Sequence, residues 1–237
     1  MIYLDHAASS FPKAPGVIDA VGTYLSLPAG SPGRAGYETT LEASRVIFAA
    51  RESAAALFGV GDSRRIIFTS GATESLNVVI NGLLRPGDVV VTTRMEHNSV
   101  VRPLVRLSRE RGVKIRVLTP EPAAEEFTGV RLAVVCHGSN VTGELASVER
   151  ITDLAHRAGA VVLLDAAQTA GVIPIDLAAL GVDVLACSGH KGLLGPQGTG
   201  ILYLREGKQL PEPLKVGGTG SRSESELQPE FLPDRYE

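Results

Sequence analysis

Cysteine is scarce in this chain, with Cys136 and Cys187 the two examples in 237 residues. No Cys-x-x-Cys pair occurs, so neither a disulfide framework nor a zinc site is expected, and no metal is called for. Charge of one sign is lacking too. Lys and Arg number 23 against 26 Asp and Glu, a net charge of −3, which gives no basic field for nucleic acid. No apolar run approaches the roughly 18 residues of a membrane span. The start, Met1-Ile2-Tyr3-Leu4-Asp5, has no basic region followed by an apolar stretch, so no secretory signal is expected. The composition points to a soluble, cytoplasmic protein. Internal repeats and long low-complexity tracts are absent. Two nucleotide fingerprints also fail: no Gly-x-x-x-x-Gly-Lys-[Ser/Thr] occurs, and no Gly-x-Gly-x-x-Gly opens a helix after a strand. The run Gly195-Pro196-Gln197-Gly198-Thr199-Gly200 precedes a strand instead and reads as a tight turn.

What the chain has is a 44% apolar content, enough for a substantial core. Apolar runs suited to buried strands fall at Ile66–Thr69, Val89–Thr93, Lys114–Leu118, Leu132–Cys136, Val161–Leu164, Val182–Cys187 and Gly200–Leu204. Helical patterns at Glu74–Leu83, Val100–Arg111, Val148–Ala158 and Leu177–Leu180 separate most of them. Another, Leu41–Phe58, precedes the first strand and stops at Gly59. Continuous Val, Ile and Leu in strands that alternate with amphipathic helices predict an α/β fold. The architecture is a three-layer sandwich around a mainly parallel, seven-stranded sheet. Residues 1–20 read as an N-terminal arm, 21–206 as one main domain, and 207–237, rich in Pro, Glu and Ser, as an extended or partly disordered tail.

Three motifs carry chemistry. Ser188-Gly189-His190-Lys191 stands where an apolar run opens into a Gly/Pro-rich turn. Partial desolvation there would lower the Lys191 pKa and make its amine a nucleophile toward carbonyls; the alternative is an ordinary surface lysine. Asp165 ends the run Val161-Val162-Leu163-Leu164. It reads either as a cap or as the anion that a pyridinium ring requires. In Phe68-Thr69-Ser70-Gly71-Ala72-Thr73-Glu74 a strand turns into a helix whose first N–H groups suit a phosphate, while Ser70 and Thr73 also fit simple capping. Among the histidines, His97 directly follows a strand, where open α/β sheets place their ligands. His156 and His137 read as structural.

Taken in order, these segments resemble the pyridoxal-phosphate enzymes of aminotransferase class V, and among them the cysteine desulfurases and selenocysteine lyases. The resemblance rests on Tyr3-Leu4-Asp5-His6-Ala7-Ala8, Phe68 to Ser75, Glu96-His97-Asn98-Ser99, His137 to Gly143, Asp165-Ala166-Ala167-Gln168 and Ser188 to Lys191. It implies the large-domain architecture of the pyridoxal-phosphate-dependent transferases and pyridoxal 5'-phosphate as cofactor. Lys191 is then the Schiff-base lysine, Asp165 the partner of the ring nitrogen, and Gln168 the donor to the ring's phenolic oxygen. His97 stacks on the ring and shuttles protons. Ala72 and Thr73, with Ser188 and His190, hold the phosphate, and Asn140 sits near substrate and ring oxygen. Thr219, in Gly217-Gly218-Thr219-Gly220-Ser221, reaches the phosphate of a partner subunit in a homodimer.

The substrate implied is cysteine or selenocysteine, with loss of sulfur or selenium to leave alanine and a possible sulfur-acceptor protein. Two departures bear on this. His6 stands where many relatives have Asn, and Tyr37, within Pro32-Gly33-Arg34-Ala35-Gly36-Tyr37, where His is common. Relatives also continue into a smaller domain with a substrate-binding arginine and a sulfur-accepting cysteine. This chain is therefore expected to be truncated and impaired, since Cys136 and Cys187 both end predicted strands as inert thiols. Another class V aminotransferase or β-lyase, or a non-catalytic subunit of the same fold, stays open.

Overall fold

The Val, Ile and Leu runs form a single sheet in the computed structural model, which describes residues 2–28, 30–33, 36–219, 221–222 and 224–237. Its strands are β1 (Ile66–Thr69), β2 (Val89–Thr92), β3 (Lys114–Val117), β4 (Val130–Cys136), β5 (Val161–Asp165), β6 (Val184–Ser188) and β7 (Gly200–Leu204). The order across the sheet is β1-β7-β6-β5-β4-β2-β3. Strand β7 runs antiparallel to both neighbours, and β6, β5, β4, β2 and β3 are mutually parallel.

Successive residues of a strand point to opposite faces, and each face here is covered. On β4, Leu132 and Val134 join one core while Ala133 and Val135 join the other. The first core is closed by α3 (Ala72–Leu83) and α4 (Asn98–Arg111), through Leu76, Ile80, Leu104 and Leu107. The second is closed by α2 (Glu38–Leu57), α5 (Val148–Arg157) and α6 (Leu177–Leu180), through Ala55, Ile151, Ala155 and Leu177. The result is a three-layer α/β sandwich. No helix among the described residues is long and apolar enough to cross a membrane.

Element ends differ from expectation where side chains satisfy terminal backbone groups. Helix α3 starts at Ala72 instead of Glu74 and α4 at Asn98 instead of Val100. In α4 the reason is visible, since the His97 ring caps the Ser99 N–H. Helix α1 (Val17–Leu25) crosses the arm boundary placed at residue 20, and none of its residues is buried. Among the described residues after 207 there is no helix or strand, but the last of them pack down. Leu232 and Tyr236 lie against the α3–α4 core, and the Tyr236 hydroxyl donates to Pro211 O at 2.7 Å. Glu237 pairs with the buried Arg51 (2.7 Å) and accepts the Phe68 N–H (2.6 Å). That contact occupies an outward amide of edge strand β1, which would otherwise be open to pairing.

Candidate active site

The parallel strands bring their carboxyl ends to one edge of the sheet, the usual place for ligands in open α/β folds. The segments leaving those ends enclose a cavity of about 490 Å³. Two glycines shape one wall. Gly71 has φ +154°, and a Cβ on Gly200 would lie 2.5 Å from the Gly71 Cα. Their bare backbones let β7 meet the turn into α3, and the Ala72 N–H then donates to Ser188 Oγ at 3.1 Å. The first-turn N–H groups of α3 have no intrahelical acceptor and form the positive end of the helix dipole. The Thr73 hydroxyl lies beside them, 2.8 Å from Ser99 Oγ.

His97, Asp165, Lys191 and His190 are among the titratable groups that line the same cavity. His97 Nδ1 accepts the Ser99 N–H at 3.1 Å, which assigns the proton of the neutral ring to Nε2. Asp165, at the end of β5, is 4% exposed and its Oδ1 accepts the Ala167 N–H at 2.9 Å. Burial raises its pKa, opposed by the Ala167 amide and by the charges of Lys191 and His97. Burial lowers the pKa of Lys191, opposed by Asp165 and Cys136. Both shifts favour neutral forms, and a cation against Asp165 would reverse its own. His190 is lowered by burial, then by Lys191 and Lys13, and its buried Nδ1 has no hydrogen-bond partner.

Of the residues singled out from the sequence, Ala72, Thr73, His97, Asn140, Asp165, Gln168, Ser188, His190 and Lys191 all line this cavity. Gln168 spends one amide proton on Ala7 O (3.0 Å) and keeps the other. Thr219 is not brought there. It lies in a separate surface hollow near Ser221 and Arg222, and Gly220 of its motif falls outside the described residues. His6 and Tyr37 do not line the cavity, and Arg34 and Ala35 beside Tyr37 are outside the described residues. His137 pairs with Thr169 (2.9 Å) and His156 with Asp183 (2.9 Å), and neither is among the residues that line the cavity.

Several lining residues were not singled out as site residues. The arm residues Asp5, Ala7 and Ala8 form a wall. Cys136 also lines the cavity, but its thiol donates to Gly138 O (3.2 Å) and is pushed up to about 12 by burial, with Glu96 and Asp165 adding to the shift. Cys187, in the α2–α5 core, is likewise raised to about 12 by burial. Glu96 is pushed up to about 7 by burial, against hydrogen bonds from the Thr93 hydroxyl (2.8 Å) and the Cys136 N–H (2.8 Å). The motif Tyr3 to Ala8 was the only sequence signal for the arm, and it carried no chemistry on its face.

The donor set suits a phosphorylated pyridine aldehyde. It offers an amine, a buried carboxyl, a helix N-terminus with hydroxyls, and the orphaned His190 Nδ1. Comparison with known proteins points the same way. A family model described as aminotransferase class V matches residues 2–237. A probable cysteine desulfurase of Methanothermobacter thermautotrophicus is 40% identical over 230 residues, covering 92% of this chain and 56% of that protein. The apo structure of a cysteine desulfurase from Thermococcus onnurineus NA1 superposes with a TM-score of 0.88 at 32% identity, over 100% of this chain and 62% of that one. A structure of SspA in complex with cysteine has a TM-score of 0.82 at 29% identity, over 99% and 70%. The chain thus spans a little over half the length of the curated relative.

Proposed function

Because the chain belongs to the aminotransferase class V family, we propose that it is a pyridoxal 5'-phosphate-dependent, cysteine desulfurase-like protein. It acts on a small amino acid, cysteine or selenocysteine, and works in the cytoplasm as a homodimer. The observation that carries this reading is the shared cavity of Lys191 and Asp165, delivered by the ends of separate strands. When bound, the cofactor supplies an aldehyde for the amine and an electron sink for charge developing at the substrate Cα.

The chain's own residues do the rest. Lys191, its pKa lowered by burial, would serve as a nucleophile and then as a base for the Cα proton. Asp165 holds a proton at the ring nitrogen. Thr73, Ser188, His190 and the α3 amides bind the phosphate, while Gln168 and Asn140 orient the ring oxygen. His97, with its proton on Nε2, would move a proton within the cavity. In desulfuration a thiol takes the sulfur to become a persulfide, and cysteine becomes alanine. Cys136 and Cys187 do not suit that step, because burial holds both as thiols. The acceptor lies outside these residues, on an acceptor protein or another thiol.

The test is a visible spectrum of the purified chain with cofactor, beside its Lys191→Ala variant. The wild type is expected to show a cofactor band that shifts on addition of L-cysteine, and the variant none. A band unchanged by Lys191→Ala refutes the assignment.

A further inference from the structure

The geometry points to Lys13 as a positioning residue that, through one peptide carbonyl, fixes the backbone carrying Lys191. This rests on the reading of Lys191 given above. The carbonyl oxygen of His190, one residue before Lys191, is approached by four donors, all from the N-terminal arm. They are Ser10 N–H at 2.9 Å, Ser10 Oγ at 3.0 Å, Lys13 Nζ at 3.1 Å and Ser9 Oγ at 3.3 Å. Lys13 Nζ also lies 3.2 Å from Ser9 Oγ and 3.2 Å from Ser10 Oγ. An ammonium has three protons and no lone pair. Here three acceptors lie within reach of them, two serine hydroxyls and the carbonyl.

With its donors used in this way, Lys13 has none left for a ligand, and its work is done through the peptide it grips. That peptide sits in an unusual loop. Leu194 holds φ +58°, a left-handed conformation that a non-glycine residue keeps only where its surroundings enforce it. The loop closes on itself through Leu194 N–H to Lys191 O (2.8 Å) and Gly195 N–H to Gly189 O (2.8 Å). It is held from outside by Ala14 N–H to Leu194 O (3.1 Å). The arm thus binds both ends of the turn that presents Lys191. Further back, its Ala7 carbonyl accepts from Gln168, and Asp5, Ala7 and Ala8 wall the cavity. Lys13 ties that wall to the lysine loop, so the two order together.

Lys13→Met keeps the stem and removes the charge and its three hydrogen bonds. In the cofactor-free chain, amide exchange at residues 9–14 and 189–195 is expected to rise together, with the thermal midpoint little changed. Capture of pyridoxal 5'-phosphate, followed as growth of the visible band, is expected to slow about tenfold, the scale of one charge-assisted hydrogen bond. The visible circular dichroism of the bound ring, which reports its orientation, is expected to weaken. Unchanged exchange in the lysine loop overturns the proposal, as does capture and ring dichroism within twofold of wild type. If the wild type takes up no cofactor, the reading of Lys191 falls, while the exchange experiment still decides whether Lys13 orders the loop.

Discussion

At the scale of single residues, burial drives several groups in and behind the cavity toward neutrality, and Glu96, buried behind the lining, shows the consequence for stability. Its carboxyl is pushed up to about 7, first by desolvation, with the neighbouring Asp165 adding to the shift. Its Oε2 is buried without a partner. In the unfolded chain the same carboxyl titrates near about 4.3. Below that value both states are protonated and the group is neutral in its effect. As pH rises from about 5 to about 7, the unfolded chain loses its proton while the folded chain keeps it, and stability falls. Glu96→Gln removes that dependence. In cofactor-free protein, the thermal midpoint of the variant relative to wild type is expected to climb between about pH 5 and about pH 8; a difference constant with pH would show that Glu96 is ionised throughout. Lys191 and Asp165 were legible in the sequence because each ends an apolar run. Glu96 was not, since its burial depends on the Cys136 amide 40 positions away, and no local pattern records that pairing.

At the scale of elements, all seven strands were readable from Val, Ile and Leu content; the central ones are covered on both faces and need no alternation to be recognised, whereas edge strand β3 alternates Lys, Ile, Arg and Val and has no buried residue. The helix starts were less so, for capping by His97 or closure on Ser188 is decided by what lies across the sheet. Helix α1 was not read although Val17, Val21, Tyr24 and Leu25 recur at helical spacing; its apolar side stays uncovered in this chain, with Ile18 and Leu25 each 77% exposed. The contact that most directly joins fold to site is between β7 and the turn before α3. Gly200→Ala would place a methyl group 2.5 Å from the Gly71 Cα, against backbone that has no rotamer to yield. The turn must shift and take the α3 N-terminus with it. The expected loss is about 1–3 kcal/mol of stability, in the usual range for overpacking, together with weaker binding of pyridoxal 5'-phosphate. Denaturant unfolding and a cofactor titration measure the two, and a variant that loses neither would show that this turn tolerates displacement.

At the scale of the whole molecule, one motif residue stands apart from its fellows. Thr219 lies away from the cavity, its hydroxyl 3.4 Å from Ser221 Oγ, on a segment where Gly217 N–H donates to Gln228 Oε1 at 3.0 Å. The proposed homodimer gives this placement a purpose, in which each chain's Thr219 serves the phosphate of the other. Mixing two variants separates that arrangement from a local one. Lys191→Ala and Thr219→Ala chains are each expected to bind the cofactor poorly as pure populations. In a mixed dimer, one site carries both defects. The other combines an intact Lys191 from one chain with an intact Thr219 from its partner. Unfolding and refolding the two variants together in equal amounts therefore makes about half the dimers mixed by chance pairing, and the visible cofactor band should reappear in proportion. If Thr219 acts within its own chain, every site in the mixture keeps a defect and no band is recovered.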